Sequence, residues 1–478
     1  VSKIRKALFH SSVSQYGANL IALVSTMIVA RLLTPDQLGV FAIASGLVMI
    51  LSEFKLLGAG EYLVREAQLS ENKIRSALGL TVLISWSLGL AVAGSAEWMA
   101  GFYRIPSLSD LFYILSVTFI LSPFISITVA QANRSFNFSV LLQMNLAASL
   151  LSLVATVVLI SLGFGIYSLA WALVIRTLVE MLVVMLNPAT TVFWRPEFRG
   201  VGKIAKFGVF NSTANVVSKG IQIVPDMVIG KLGTTMQVGL FSRGLGFIDF
   251  IGRTMLMGIS PVALPYLSET LRQGGDVIVA YTRACVLLSA VLWPVLTVAA
   301  IASLPTIRVF FGPQWDAAAP IATFMAIWLI LRSTHGLANK LFVATGNEKI
   351  TMVKELVLLI LAVTFVISAF PFGLNAIASS FVLLGIIELV LVSWLLKRFL
   401  ALDYITFYKQ FFPNVLISVI CGLTTWGISF FISFESEPAW KPVLAIFFCL
   451  PVTWLGSLFL FKHPLASELG NLTRRAIS

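Results

Sequence analysis

The sequence predicts an all-α polytopic membrane protein of about 14 transmembrane helices. Two parallel six-helix repeats surround a central cavity, and two C-terminal helices follow them. Three observations predict this. Of 478 residues, 58% are hydrophobic and only 11% charged, against about 25% charged in soluble domains. The apolar residues fall in a series of runs each about 20 residues long, the length that spans a bilayer as a helix. A 16-residue stretch near the second run recurs 200 residues later.

The runs lie at 11–32, 37–57, 76–100, 108–130, 139–163, 165–186, 205–231, 236–262, 280–303, 317–343, 350–371, 373–396, 411–432 and 440–462, here spans 1 to 14. They lack the alternation of barrel strands. The mean hydropathy of +0.95 leaves no room for a large soluble catalytic domain. The first run carries Gln15 and Asn19 and no small-residue cleavage pattern, so it reads as a span and not as a signal peptide. Cys285, Cys421 and Cys449 are scattered through apolar runs without metal-ligand spacing, and no metal or cofactor is implied.

The net charge of +12 would suggest nucleic acid in a soluble protein. Here it has a topological explanation, because cytoplasmic loops collect Lys and Arg. If the runs cross in alternation, 22 basic residues fall on the side of the N-terminus and five on the other. The five are Arg31, Arg104, Lys231, Arg308 and Lys441. Both termini are therefore expected in the cytoplasm, with nucleic acid excluded as a partner. The outer loops are about 15 residues or shorter and carry no His–Asp cluster. A membrane enzyme is excluded on that ground.

The repeat is RLLTPDQLGVFAIASG at 31–46 and KLGTTMQVGLFSRGLG at 231–246. Leu32, Thr34, Gln37, Gly39, Phe41 and Gly46 match Leu232, Thr234, Gln237, Gly239, Phe241 and Gly246. At offset 208, Phe164, Gly165, Ala170, Val174 and Glu180 recur as Phe372, Gly373, Ala378, Val382 and Glu388. An even-numbered unit of six spans gives both halves one orientation. Such repeats place a substrate site between the halves near mid-membrane. The expected lobes are 1–200 and 201–400, with spans 13 and 14 and a cytoplasmic tail in 401–478.

Span 7 carries Asn211, Asn215, Lys219, Gln222 and Asp226, which fall within about 80° of arc at about 100° per residue. The equivalent face of span 1 holds Ser11, Gln15, Asn19 and Thr26. Polar contacts between packed helices would explain such a stripe. A lysine near mid-depth favours a water-filled cavity. Arg176, Arg243, Arg253, Arg332 and Lys340 also lie within spans, with Glu180, Asp226, Asp249 and Glu388. Each cation costs about 2.5–3.5 kcal/mol at the bilayer centre, so pairs or water must offset it. Arg176 with Glu180, and Asp249 with Arg253, are four apart and can pair on one helix. Asp226 and Arg243 share a depth across the hairpin of spans 7 and 8. Lys219, Arg332 and Lys340 are left with no partner visible in the sequence. Arg332, His335 and Asn339 share a face of span 10. An unpaired cationic centre suits an anionic headgroup, and Arg matches phosphate with two parallel hydrogen bonds. A lone histidine in a span is as often a packing residue as a proton carrier. Glu388 has no cation close by in its own span and is a candidate to titrate.

The chain resembles the polysaccharide transporter (oligosaccharide-lipid flippase) family of the multidrug/oligosaccharidyl-lipid/polysaccharide exporter superfamily. The resembling stretches are ARLLTPDQLGVFAIASG at 30–46, GFGIYSLAWALV at 163–174, PDMVIGKLGTTMQVGLFSRG at 225–244 and ATGNEK at 344–349. Asp226, Gly230, Gly233, Gly239 and Arg243 look like that family's signature across spans 7 and 8. Pro225 departs from it, and a bend in span 7 is expected there. The resemblance implies export of undecaprenyl-diphosphate-linked sugars across a bacterial cytoplasmic (inner) membrane by alternating access. On that reading Lys219 and Arg332, with Lys340 and Arg253, face the diphosphate. Asn215, Gln222, Gln15 and Asn19 face sugar hydroxyls. Asp226, Arg243, His335 and Glu388 are candidates for ion coupling or gating, with H+ or Na+ as the ion. Expected partners are an anionic lipid-linked oligosaccharide, membrane lipids and polysaccharide biosynthesis enzymes. The alternative is an ion-coupled multidrug or amphiphile exporter of the same superfamily. The cationic excess within the spans argues against cationic drugs.

Overall fold

A computed structural model describes residues 2–54, 59–66, 69–135, 137–187, 190–257 and 260–468. The side chains of 2–13, 61, 64, 65, 203, 206–215, 260 and 261 are outside that description. The described residues are mostly helical, with no strand among them; the longest non-helical stretch is 190–200. Helices satisfy their own backbone groups, as a bilayer demands. Eleven helices among the described residues are long and apolar enough to cross a membrane. They correspond to all the expected spans except 1, 7 and 8, so length and composition alone do not establish fourteen. Span 8 carries Arg243, Asp249 and Arg253, and span 7 carries Lys219, Asp226 and Lys231, which lowers their hydropathy.

The chain divides into two compact units, Val1–Gly239 and Leu240–Ser478. The first holds α1 (Ser2–Leu32), α2 (Pro35–Ser52), α3 (Ala59–Arg65), α4 (Glu71–Tyr103), α5 (Ser107–Ser116), α6 (Thr118–Arg134), α7 (Phe138–Ser161), α8 (Tyr167–Leu186), α9 (Val201–Leu232) and the start of α10 (Thr235–Leu256). Helix α7 packs along α1 and α8, α4 along α5 and α6, and α2 along α9. Leu63, Ile74, Leu78 and Ile127 form one core cluster; Ile125, Met144, Met181 and Val184 form another. Span 4 is two helices, α5 and α6, joined at Val117.

The repeated motif has a structural reason in this unit. Thr34 caps α2: its hydroxyl accepts from the Gln37 N–H at 3.3 Å, and the Gln37 side chain accepts from the Thr34 N–H at 3.0 Å. Thr234 and Gln237 repeat this reciprocal cap on α10 at 3.2 and 3.0 Å. A capping box satisfies two backbone donors that a helix start otherwise leaves open. Thr34→Ala is expected to cost about 1 kcal/mol, read as a lower unfolding midpoint and faster amide exchange in the first turn of α2. The repeated glycine that follows serves close approach. A Cβ on Gly39 would lie 1.7 Å from the Thr235 carbonyl oxygen, and one on Gly239 1.9 Å from that of Pro35. The two helix starts therefore cross backbone to backbone, and Thr235 donates its hydroxyl to Asp36 beside the crossing.

The second unit continues α10 and adds α11 (Ser260–Arg272), α12 (Val277–Ile301), α13 (Ser303–Phe311), α14 (Ala319–Ser333), α15 (Ala338–Ala344), α16 (Glu348–Ala369), α17 (Leu374–Leu400), α18 (Tyr404–Phe431) and α19 (Trp440–Leu460). Span 10 is not one helix. It breaks over 334–337 into α14 and α15, with Gly336 packed so closely that a Cβ would lie 3.1 Å from the Ser333 carbonyl oxygen. The core gathers Tyr281, Trp293, Phe342, Phe407 and Phe411. The two C-terminal helices pack onto α12. Asn414 donates to the Val286 carbonyl at 2.9 Å and to Ser289 Oγ at 2.7 Å, and the Trp454 indole donates to the Ala290 carbonyl at 2.8 Å. Only 17% of the apolar window of α19 is buried, with Phe447, Phe448 and Val452 exposed. So much exposed apolar surface belongs in lipid: the chain is a multi-pass membrane protein.

Candidate functional site

The second unit buries a layer of ions drawn from three helices and bridged by an asparagine from a fourth. Arg332, in the last turn of α14, places Nε 3.5 Å from Glu388 Oε2 in the middle of α17. Its guanidinium also lies 5.2 Å from the Trp328 ring centroid. The other oxygen of Glu388 is 3.7 Å from Lys354 Nζ on α16. Lys354 in turn pairs with Glu355 at 2.8 Å. Asn339 on α15 bridges that pair: its Oδ1 accepts from Lys354 at 3.0 Å and its Nδ2 donates to Glu355 at 2.9 Å. Lys354, Glu355 and Glu388 are 5%, 1% and 7% exposed. Two cations meet two carboxylates, so the layer is neutral as drawn. A buried ion is tolerated only when paired and hydrogen-bonded; every ion of this set has an opposite charge within 3.7 Å, while Glu355 Oε2 is left without a hydrogen-bond partner among the described residues.

His335 lies in the break between α14 and α15, beside this layer. Its Nδ1 hydrogen bonds with the Tyr281 hydroxyl and its Nε2 with Ser393 Oγ, each at 2.9 Å. Its ring is stacked with Phe407 at 4.8 Å and Tyr281 at 6.4 Å.

In the first unit Lys219 is not unpartnered. It reaches Glu53 at the end of α2 at 2.5 Å, with side chains 37% and 21% exposed. A pair this accessible to solvent contributes little to stability and can exchange partners. Gln222 and Asp226 continue along α9 from Lys219, half-buried and buried respectively. Gln15 is exposed and Asn19 half-buried on α1. The side chain of Asn215 lies outside the described residues.

Several expectations need correcting. Arg332, expected to lack a partner, and Glu388, expected to have no cation close by in its own span, meet each other across helices. The same-helix rule missed them because they are 56 positions apart on different helices. Lys354, one of the 22 basic residues on the N-terminal side, is a buried ion paired with Glu355. Both fall inside the apolar run 350–371, a signal that was there to be used. The same-helix pairs are present, Arg176 with Glu180 at 3.0 Å and Arg253 with Asp249 at 2.5 Å. Arg253 is 57% exposed despite its pair. Lys340 is half-buried on α15 and has no carboxylate in ion-pair range among the described residues. Asp226 and Arg243 fall in different units. Arg243 lies over the rings of Phe311 and Trp315, at 4.9 and 5.0 Å. Of the proposed residues, the structure thus brings Arg332 and Glu388 into contact, with His335 close by, and sets Lys219, Gln222 and Asp226 along one helix.

Membrane-length helices that hold ions within their bundle, rather than only at its ends, are the build of a membrane transport protein. The fold matches that of the lipid II flippase MurJ in an inward closed conformation. The TM-score is 0.76 over 95% of this chain and 99% of that one, at 15% identity. An inward-facing multidrug resistance MATE family transporter of the MOP superfamily matches with a TM-score of 0.61. That match covers 82% of this chain and 98% of the transporter, at 13% identity. The protein belongs to the polysaccharide biosynthesis protein family, whose profile matches residues 28–320. The teichuronic acid biosynthesis protein TuaB of Bacillus subtilis (strain 168) is 20% identical over 387 residues, 78% of each chain. Fold and family together place the chain among flippases and exporters of polysaccharide biosynthesis, as the sequence resemblance implied.

Proposed function

We propose that the protein is a flippase for polyprenyl-diphosphate-linked oligosaccharides. It moves them from the cytoplasmic to the outer leaflet of a bacterial cytoplasmic membrane by alternating access of lobes 1–200 and 201–400. Both termini are cytoplasmic. The observation that carries this reading is the flippase fold along nearly the whole chain, joined to family membership. Lys219 and Arg332 are the headgroup cations, with Lys340 and Arg253 as further positive charge and Gln15, Asn19, Asn215 and Gln222 toward the sugars. Glu53 and Glu388, the partners of Lys219 and Arg332, take the place of the diphosphate when it is absent, which keeps these two cations from being stranded in low dielectric.

Coupling to H+ or Na+ falls to Glu388, with Asp226, Arg243 and His335 as gating groups. Neutralising Glu388 leaves Arg332 and Lys354 with one carboxylate between them. The layer then carries a net positive charge that an anionic headgroup can match.

The test is transfer of a labelled polyprenyl-diphosphate oligosaccharide in proteoliposomes, followed with an impermeant quencher. Wild type is expected to transfer it. Lys219→Ala is expected to lose at least tenfold in rate at unchanged folding, and Arg332→Ala, which leaves Glu388 to Lys354 alone, to lose as much while folding with reduced stability. A fully active double variant would overturn the headgroup assignment. The MATE-type fold favours a second reading, a multidrug exporter. No transfer of any lipid-linked glycan, together with export of a lipophilic dye, would select it.

A further inference from the structure

The turn between α4 and α5 and the turn between α9 and α10 enclose a pocket of about 470 Å³ in the first unit. Phe102, Tyr103, Arg104 and Lys231 line it, with Thr234 and Thr235. Both turns lie on the side where basic residues are scarce, the outer face in the orientation proposed above. Two of the five basic residues expected on that face meet here.

Their surroundings differ from those of their counterparts. Arg308 is matched by Asp316 at 2.7 Å and Lys441 by Glu437 at 2.7 Å. Among the described residues Arg104 and Lys231 have no carboxylate in ion-pair range. Lys231 is held in place by donating to the Phe102 carbonyl at 2.5 Å and by lying 4.0 Å from the Phe102 ring centroid. Arg104 ends α4 in the left-handed region, with φ +58°. Glycine or asparagine is the unstrained choice at such a position. Beside the cations, Trp98 and Phe102 stack at 5.5 Å and both are exposed. Such apolar ring faces suit the C–H face of a sugar.

We infer that this pocket binds a phosphate-bearing headgroup on the outer face, with the adjoining sugar against the Phe102–Trp98 stack. It is the station at which the delivered lipid-linked glycan rests before it is consumed. Two unmatched cations supply charge-assisted hydrogen bonds to phosphate oxygens, and the Thr234 hydroxyl adds a neutral one, the Thr235 hydroxyl being already given to Asp36. The inference rests on the flippase reading, but its test needs no transport.

The full-length protein in nanodiscs is treated with sulfosuccinimidyl acetate, and acetylation of Lys231 and Lys441 is read by peptide mass. Geranylgeranyl diphosphate and inorganic pyrophosphate are the two probes. Geranylgeranyl diphosphate is expected to slow acetylation of Lys231 at least fivefold and to leave Lys441 unchanged. Arg104→Gly, which suits the left-handed backbone and keeps the fold, is expected to abolish that protection. Protection by pyrophosphate as well assigns recognition to the phosphates alone. Protection by the lipid diphosphate only adds a requirement for the lipid. Acetylation of Lys231 at the same rate with and without either probe overturns the site, as does protection that survives Arg104→Gly. Loss of lipid transfer in liposomes with Lys231 still protected would count against the transport reading and not against the pocket.

Discussion

Glu388→Ala is expected to lose about 3–5 kcal/mol of stability, the typical cost of stranding a buried charge. The carboxylate touches Arg332 at 3.5 Å and Lys354 at 3.7 Å. Lys354 keeps Glu355 as a partner, but Arg332 loses its nearest carboxylate and keeps the face of Trp328 with only the more distant fields of Glu355 and Asp249. Unfolding in detergent, followed by near-ultraviolet circular dichroism, measures the loss. The double variant Glu388→Ala/Arg332→Met removes the charge and its partner together. It is expected to recover most of the stability, because no ion is then left unmatched. A single variant as stable as wild type would show that the carboxylate does not hold this layer together. The same logic separates stability from transport: the double variant should fold but not carry an anionic headgroup. Glu180, the repeat counterpart of Glu388, pairs on its own helix with the partly exposed Arg176. Glu180→Ala is therefore expected to cost much less.

The second large effect belongs to the glycine crossing. Gly39→Ala and Gly239→Ala each drive a methyl group into a carbonyl oxygen that would lie 1.7 or 1.9 Å away. No rotamer change relieves a clash with backbone, so the starts of α2 and α10 must separate. Overpacking of this kind costs about 1–3 kcal/mol or more. Either variant is expected to slow lipid transfer more than tenfold in proteoliposomes and to lower the unfolding midpoint. The control is in the same motif. Gly246 is also a repeated glycine, yet a Cβ there meets nothing within 4 Å. Gly246→Ala is expected to be neutral or to stabilise α10 by up to about 1 kcal/mol through helix propensity. Equal damage at 239 and 246 would mean that the close crossing is not what the repeat preserves.

These residues mark how much was legible beforehand. The helical class, the repeat and the family were readable because each depends on composition or on neighbours along the chain. Arg176–Glu180 and Asp249–Arg253 were readable for the same reason, since four residues make one helical turn. The breaks at Val117 and over 334–337 were not, because an apolar run keeps its hydropathy whether its helix is whole or kinked. Lys354 was misassigned because charge near the end of a span is shared by loop residues and buried ions alike. The T-x-x-Q-x-G repeat was legible as a pattern, but its purpose was not. Identity at offset 200 cannot reveal that the two copies cap their helices and then cross each other.

By itself, then, the sequence determined that this chain is a bundle of membrane-length helices built from a duplicated unit. Hydrophobic content and periodicity are local properties, and the bilayer leaves the backbone of such segments little choice but to be helical. Only the tertiary structure decided which charges answer which. Lys219 meets Glu53 across 166 positions, and Arg332, Glu388, Lys354 and Glu355 form a single layer. Ions in low dielectric find partners by proximity in space, and helix packing, not order along the chain, sets that proximity.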